Sequence, residues 1–199
     1  MASTSTAPKP ERVSAVILFA ETSGFTRTSA ILEPAVVLAR AAEFFGLVRS
    51  MVETRGGVVR DTLNDTLMAS FTGTEAAKNA VEAAQDIQRE FFVIEESWQQ
   101  DYGIRAAVSI GLHSGEVVIG VADPALPGQP LIIGDSVSVA ERLLHRARAG
   151  EMVLSKPLMD AFAAAGAPLD AEELPALVIP RRDPIRLFGV LRDTRLDFT

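Results

Sequence analysis

The sequence predicts an α+β domain built on a ferredoxin-like β-α-β-β-α-β core with a C-terminal α/β extension. Three observations carry that prediction. Val13 to Ala20 is an apolar, β-branched run of the kind that forms a buried strand. Two long stretches with apolar residues at helical spacing follow it, separated by a short hairpin pattern. Long helices alternating with paired strands give a sheet with helices packed on one face.

Each element can be justified in order. The residues numbered 1–12 are rich in Ser, Thr, Ala and Pro and read as a disordered leader without the hydrophobic centre of a signal peptide; the domain is expected to occupy 13–199. The first strand ends on Glu21, which is either a solvated strand end or a charge held at the rim of a sheet. Pro34 suits a first helical turn. From there Val37, Ala41, Phe44, Phe45, Val48, Met51 and Val52 share one helix face, and Arg55-Gly56-Gly57 closes it. Val58 to Leu63 and Leu67 to Phe71 pair as a hairpin whose tip carries Asp65.

Thr74 to about Glu96 is the second long helix, with Ala77, Ala80, Val81, Ala84, Ile87 and Phe91 as its stripe. Tyr102 to Leu112 and Glu116 to Val121 read as two strands joined at His113-Ser114-Gly115. Asp123 to Gln129 is a Pro/Gly-rich loop. Leu131 to Ile133, Met152 to Leu154 and Ile185 to Leu191 are short strands. Asp135 to Ala147 and Pro157 to Ala165 are the intervening helices.

Composition narrows the function. A chain of 199 residues is long enough for one substantial core. A net charge of −7 argues against nonspecific binding to nucleic acid, which needs Lys and Arg on phosphates. The absence of cysteine removes disulfides, thiolate metal sites and thiol nucleophiles, and makes the reducing cytoplasm the expected location. No apolar run reaches the roughly 20 residues that span a bilayer. His113 and His145 lie too far apart to pair on a metal, and Ser114 lacks the His and Asp partners of a serine nucleophile.

In the predicted core the first and third strands are neighbours, so Glu21 at one strand's end and Asp65 at the hairpin tip converge on one edge of the sheet. Two carboxylates that share a site repel unless a cation joins them. Hard oxygen donors suit Mg²⁺ or Mn²⁺, completed by water and substrate phosphates, which points to phosphoryl transfer.

At these residues the chain resembles the class III adenylate/guanylate cyclase catalytic domain. LFAETSGFT is similar to the family's FADIRGFT, and DTLNDTLMASF to its KFIGDGVMAVF hairpin. SIGLHSGEVVIG is similar to GIGIHTGEVVVG, and IIGDSVSVAERLLHRARAGEMVLS to VIGDTVNLAARLE…GEILIS. The resemblance covers about Val13 to Val190 and implies the class III nucleotide cyclase fold and the conversion of a purine nucleoside triphosphate to a 3′,5′-cyclic nucleotide.

The resemblance also implies roles. The family's two metal-binding Asp positions fall on Glu21, one methylene longer, and on Asp65, which is kept. The purine-reading positions fall on Asp61 and Leu131. An acidic Asp61 accepts from guanine N1–H and N2–H, a pair adenine lacks, while Leu131 cannot hydrogen-bond a base. Together they point away from a typical adenylate cyclase. The ribose-orienting Asn falls on Ser138, and the Arg that stabilises the transferring phosphate falls on Arg142, which is kept. These two share a helix face. Arg181 and Arg182 lie near the family's triphosphate-binding Lys and read as a solvated loop.

The family assembles its site between two protomers, so Glu21, Asp65 and Asp61 would face Ser138, Arg142 and Leu131 of a homodimer partner or of another cyclase-like chain. The departures leave two functional readings open. One is a weak or Mn²⁺-dependent cyclase. The other is a catalytically inactive domain that dimerises or binds a nucleotide.

Overall fold

The computed structural model describes residues 10–23, 29–121, 130–166 and 168–191. Most of the expected leader and all of the 123–129 loop lie outside the described residues.

Strand β1, Glu11–Thr22, sets the architecture through the alternation of its side chains. Val16, Leu18 and Ala20 point to one side, where they join the large core formed with Phe44, Val48 and Val52 of helix α1 (Pro34–Thr54) and Ala80, Val81, Ala84, Ile87 and Phe91 of helix α2 (Ala76–Tyr102). Ala15, Ile17 and Phe19 point to the other, where they meet Ala140 and Leu144 of helix α3 (Asp135–Leu144). Glu21 continues the second series.

Strands β2 (Val58–Leu63) and β3 (Thr66–Thr72) form the expected hairpin, and β3 pairs antiparallel with β1. On the other side of β1 lies β4, Val108–Gly120, antiparallel to it along its whole length. Strand β5 (Leu131–Ile133) pairs with the end of β4, and β6 (Glu151–Ser155) runs parallel to its beginning. Helix α4 (Lys156–Ala164) returns to the α1/α2 side through Leu158 and Phe162. Strands β7 (Glu172–Leu177) and β8 (Ile185–Leu191) complete an eight-stranded sheet ordered β2-β3-β1-β4-β6-β8-β7, with β5 off that path.

Four expectations need correction. The strands read as Tyr102 to Leu112 and Glu116 to Val121 are one strand, and Tyr102 belongs to α2. His113-Ser114-Gly115 passes straight through the sheet opposite Ile17, Val16 and Ala15. Gly115 is there for space rather than for a turn, because a Cβ on it would sit 2.3 Å from Ser136 Oγ. Second, the helices do not all cover one face, because α3 packs on the other. Its close approach depends on Gly111, where a Cβ would lie 2.2 Å from the backbone nitrogen of Leu144. Third, α2 continues beyond Glu96 because Trp98 is buried against Phe91 at 5.6 Å and donates to Glu43 of α1 at 2.9 Å. Fourth, β7 is an edge strand that the sequence hides, since EELPAL carries a proline and no alternation.

Candidate active site

The α3 side of the sheet is where the polar residues collect. Glu21 pairs with Thr66 across β1 and β3, so the next residue around the hairpin, Asp65, lies beside it. Asn64 makes the turn with φ at 55°, a left-handed conformation Asn tolerates. Both carboxylates are half-buried. The Glu21 carboxyl is held above its ordinary range, first by burial and then by the negative charge of Asp65, with His145 opposing the shift. The two carboxylates predicted to converge are therefore close enough to repel.

Asp61 reaches the same side of the sheet by a different route. Val59 pairs with Ala69 in the α1/α2 core, and simple alternation would send Asp61 into that core as well. A β-bulge between Val59 and Asp61 inserts Arg60, and Asp61 pairs instead with Met68, which packs against the α3-side core. Arg60 donates from Nε to Ser70 Oγ at 2.8 Å, which anchors the bulge. One Asp61 oxygen accepts the Thr62 backbone N–H at 2.8 Å.

Asp61 lines a cleft of about 360 Å³ between the hairpin and α3. Phe19, Met68, Val137 and Leu144 give it an apolar floor, and Asn64, Thr66, Glu141 and His145 bring polar groups to it. Sequence reasoning missed Glu141. The signal was present, since Val137, Glu141 and His145 recur every four residues and so share a helix face. His145, read from the sequence only as too far from His113 to pair on a metal, is exposed yet lies in this cleft and within electrostatic reach of Glu21.

Ser138 and Arg142 do not join this cleft in the same chain. Both are exposed on the outer face of α3, in one stripe with Asp135 at i, i+3 and i+7. Arg182 is ion-paired to Asp135 at the head of that stripe rather than free in a solvated loop. Leu131 is 49% exposed on β5 and is likewise not part of the cleft lining, whereas its neighbour Ile132 is buried. The six predicted positions thus fall into two groups. Glu21, Asp65 and Asp61 gather at the hairpin end, and Ser138, Arg142 and Leu131 face outward elsewhere on the chain.

His113 lies deeper under α3. Burial drives its pKa down to about 4, Asp135 and Arg182 exert opposing smaller effects, and its Nδ1 shares a 2.8 Å hydrogen bond with Ser155 Oγ. It is a neutral core histidine. Among the described residues no group of three or more His, Asp or Glu side chains is placed to hold a metal ion. The Glu21–Asp65 pair is the acidic pair that could hold a cation. It fits Mg²⁺ or Mn²⁺, which take one or two protein carboxylates and complete their shells with water and phosphate oxygens, and which would offset the Asp65 charge that adds to burial in raising Glu21. No helix among the described residues is long and apolar enough to cross a membrane.

The "Adenylate and Guanylate cyclase catalytic domain" family matches residues 8–173. An adenylate cyclase of Anabaena cylindrica is 28% identical over 130 residues, which is 64% of this chain and 26% of that protein, so the match spans about a quarter of the relative's length. The crystal structure of the adenylyl cyclase CyaB from P. aeruginosa superposes with a TM-score of 0.84 at 19% identity, covering 96% of this chain and all of that one. A non-canonical dimeric guanylyl cyclase domain of the RhoGC fusion protein from the aquatic fungus Blastocladiella emersonii gives 0.77 at 20% identity, covering 92% of this chain and 98% of that one. At these identities the structures establish a shared fold, and the extent of the family match establishes membership: the chain belongs to the adenylate and guanylate cyclase catalytic domain family.

Proposed function

We propose that the chain is a class III nucleotide cyclase domain, acting in the cytoplasm, that converts a purine nucleoside triphosphate to a 3′,5′-cyclic nucleotide with weak or Mn²⁺-dependent turnover, and that it is not a typical adenylate cyclase. The observation that carries this reading is the juxtaposition of Glu21 and Asp65 at one end of the sheet, where burial first and the Asp65 charge second hold the Glu21 carboxyl above its ordinary range. These two side chains would hold the divalent ion. When bound, such an ion lowers the pKa of a coordinated hydroxyl and neutralises phosphate charge.

The chain's own residues supply the rest. The ribose 3′-hydroxyl passes its proton to solvent water, its oxygen bonds to the α-phosphorus in line, and the opposite bond to the α–β bridging oxygen breaks so that pyrophosphate leaves with that oxygen. Asp61 accepts N–H donors of the base, and Leu131 offers only apolar contact. Ser138 orients the ribose, and Arg142 offsets charge on the transferring phosphoryl group. Ser138 and Arg142 lie on the outer face of α3, away from the cleft of their own chain. A site built from both groups therefore needs two chains, in a homodimer or with another cyclase-like chain, and a symmetric pair contains two such sites. That a structural neighbour is a dimeric guanylyl cyclase domain, in a non-canonical dimer, supports the pairing of two chains.

The test is incubation of the purified protein with MnCl2 and either GTP or ATP, with separation of the products. Cyclic product that disappears in Asp65→Ala supports catalysis. Nucleotide binding without turnover supports the inactive binding module instead. Failure to bind either nucleotide removes the site assignment and leaves the fold.

A further inference from the structure

The turn between α3 and β6 is held by a buried ion pair that stability alone does not call for. It runs from Arg148 to Glu151, where the Glu151 backbone N–H donates to the Arg148 carbonyl at 2.9 Å and Gly150 takes φ at 79°. The Glu151 side chain is 1% exposed. It accepts three bonds from Arg148: the backbone N–H at 2.8 Å, Nε at 3.2 Å and one terminal nitrogen at 2.9 Å. Burial by itself would raise the Glu151 carboxyl, and these bonds outweigh it and hold the group below its ordinary range. Gly189 on β8 makes the room, because a Cβ there would lie 2.6 Å from Glu151 Oε1. Well-packed apolar side chains of the same volume hold a turn at least as firmly as a buried ion pair. What the pair adds is direction, since a guanidinium fork meets a carboxylate in one plane.

The same turn is tied to the strand position beside Glu21. Ser109 Oγ on β4 donates to the Arg148 carbonyl at 3.0 Å, and Ser109 pairs with Glu21 across β4 and β1. On its other side the turn is continuous with α3, because the Ala147 N–H donates to the Leu143 carbonyl at 3.2 Å and to the Leu144 carbonyl at 3.0 Å. Arg142 is thereby joined to Glu21 by a short chain of bonds within one protomer. In a site shared between two chains that span enters both sites, since each chain gives its hairpin end to one and its α3 face to the other.

We infer that Glu151 is a positioning residue for cyclisation: through Arg148 it fixes where the end of α3, and with it Arg142, stands relative to Glu21 of the same chain. The inference rests on the cyclase reading above. Neutralising Glu151 releases Arg148, whose guanidinium has a second carboxylate, the exposed Glu172 of β7, at 4.0 Å. The turn then follows Arg148 away from β4. A displacement of about 1 Å at a group that acts on the transition state costs up to about 100-fold in rate. The hairpin end, with Glu21, Asp65 and Asp61, is held by β1 and β3 and does not move with the turn.

The experiment uses the full chain with MnCl2 and whichever of GTP and ATP the wild type turns over. Glu151→Gln keeps the side chain's shape and removes its charge, and its kcat is expected to fall by about tenfold with KM within about twofold of the wild type. Glu172→Gln, which removes the neighbouring exposed carboxylate, should leave kcat unchanged. Mixed chains then separate positioning from general loosening. Asp65→Ala and Arg142→Ala chains each lack one half of the site, and mixing them restores one intact site per pair. Glu151→Gln placed on the Asp65→Ala chain, whose Arg142 serves that site, should lower the restored activity by about tenfold. Placed on the Arg142→Ala chain, whose hairpin serves it, the same change should cost less than about twofold. If Glu151→Gln does not fold, Arg148→Lys changes the exposed half of the pair and is read in the same two placements. Equal loss in both placements, loss in the second alone, or no loss overturns the inference and leaves the cyclase reading standing. Mixing that restores no activity overturns the two-chain site and the inference with it. A wild type that turns over neither nucleotide overturns the cyclase reading as well.

Discussion

The two faces of the central sheet are built to different rules, although they share the same strands. On the α1/α2 face, β1 contributes Val16, Leu18 and Ala20, and the core continues without interruption through Phe44, Phe71, Phe91 and Met152. On the α3 face, the intervening residues Ala15, Ile17 and Phe19 meet one short helix, and the hairpin end is left open as a cleft. The first face spends its side chains on burial. The second holds α3 through these contacts and through a further core of Val139, Leu143, Val153, Leu177 and Leu187, and leaves Glu21, Asp65 and Asp61 beyond it. Stability and chemistry are thereby separated by the alternation of one strand, so a change on one face should leave the other nearly untouched.

The largest effect expected from breaking this division is structural. Phe91 is fully buried between Phe44, at 6.2 Å between ring centroids, and Trp98. Phe91→Ala should cost about 3–5 kcal/mol of unfolding free energy, read from urea denaturation. Where the variant remains folded, its preference between GTP and ATP should be unchanged. A shift in that preference would show that the faces are coupled.

The complementary variant acts on the open face. Asp65→Ala should lower cyclase turnover by about 100-fold or more, as does the loss of one group that offsets transition-state charge. Its thermal midpoint should stay close to the wild type or rise, because Asp65 repels Glu21 in the apoprotein. A lowered midpoint would mean that the hairpin tip carries structure as well as charge.

His113 sharpens the comparison, since it is a titratable group on the α3 face that has been given to the core. Its folded pKa is depressed to about 4, chiefly by burial. The unfolded chain therefore binds this proton first as pH falls, and the histidine's contribution is complete above its ordinary pKa and is lost on acidification. It accounts for about 2 kcal/mol of the stability lost between about pH 7.5 and about pH 5. His113→Gln should flatten that part of the urea-midpoint profile. An unchanged slope would place the proton elsewhere.

The smallest effect is expected at the surface. The Arg49–Glu53 pair on α1 is 3.3 Å apart and exposed. Glu53→Gln should change stability by no more than about 0.5 kcal/mol, detectable as a sub-degree to few-degree shift in thermal midpoint.

The parts of this division legible in the sequence were those where local pattern and tertiary structure agree. Val13 to Ala20 could only be a buried strand, the Asn64-Asp65 turn marked a hairpin, and the α1 stripe ended where Arg55-Gly56-Gly57 ended it. Glu21 and Asp65 followed from strand adjacency. What was not legible depended on contacts between distant elements. Gly115 reads as a turn residue until α3 is known to press on it, and Trp98 extends α2 only because α1 is there to receive its N–H. Glu141 reads as a solvated helix position because the cleft it lines is completed by the hairpin, far from it in sequence. Strand β7 has no pattern of its own and exists because β8 offers it an edge.

The bulge at Arg60 has a consequence for how the domain can change over evolutionary time. Because it shifts the strand's phase by one residue, the position of Asp61 is exempt from the packing code that governs Val59. On the proposed assignment of Asp61 to the base, mutations there are screened by the ligand more than by folding. A lineage can exchange acid, base or amide at this site while keeping an intact core, whereas deletion of a single residue from β2 would turn the same side chain inward and cost the fold. Ligand preference in this architecture is free to drift by substitution and is closed to change by loss.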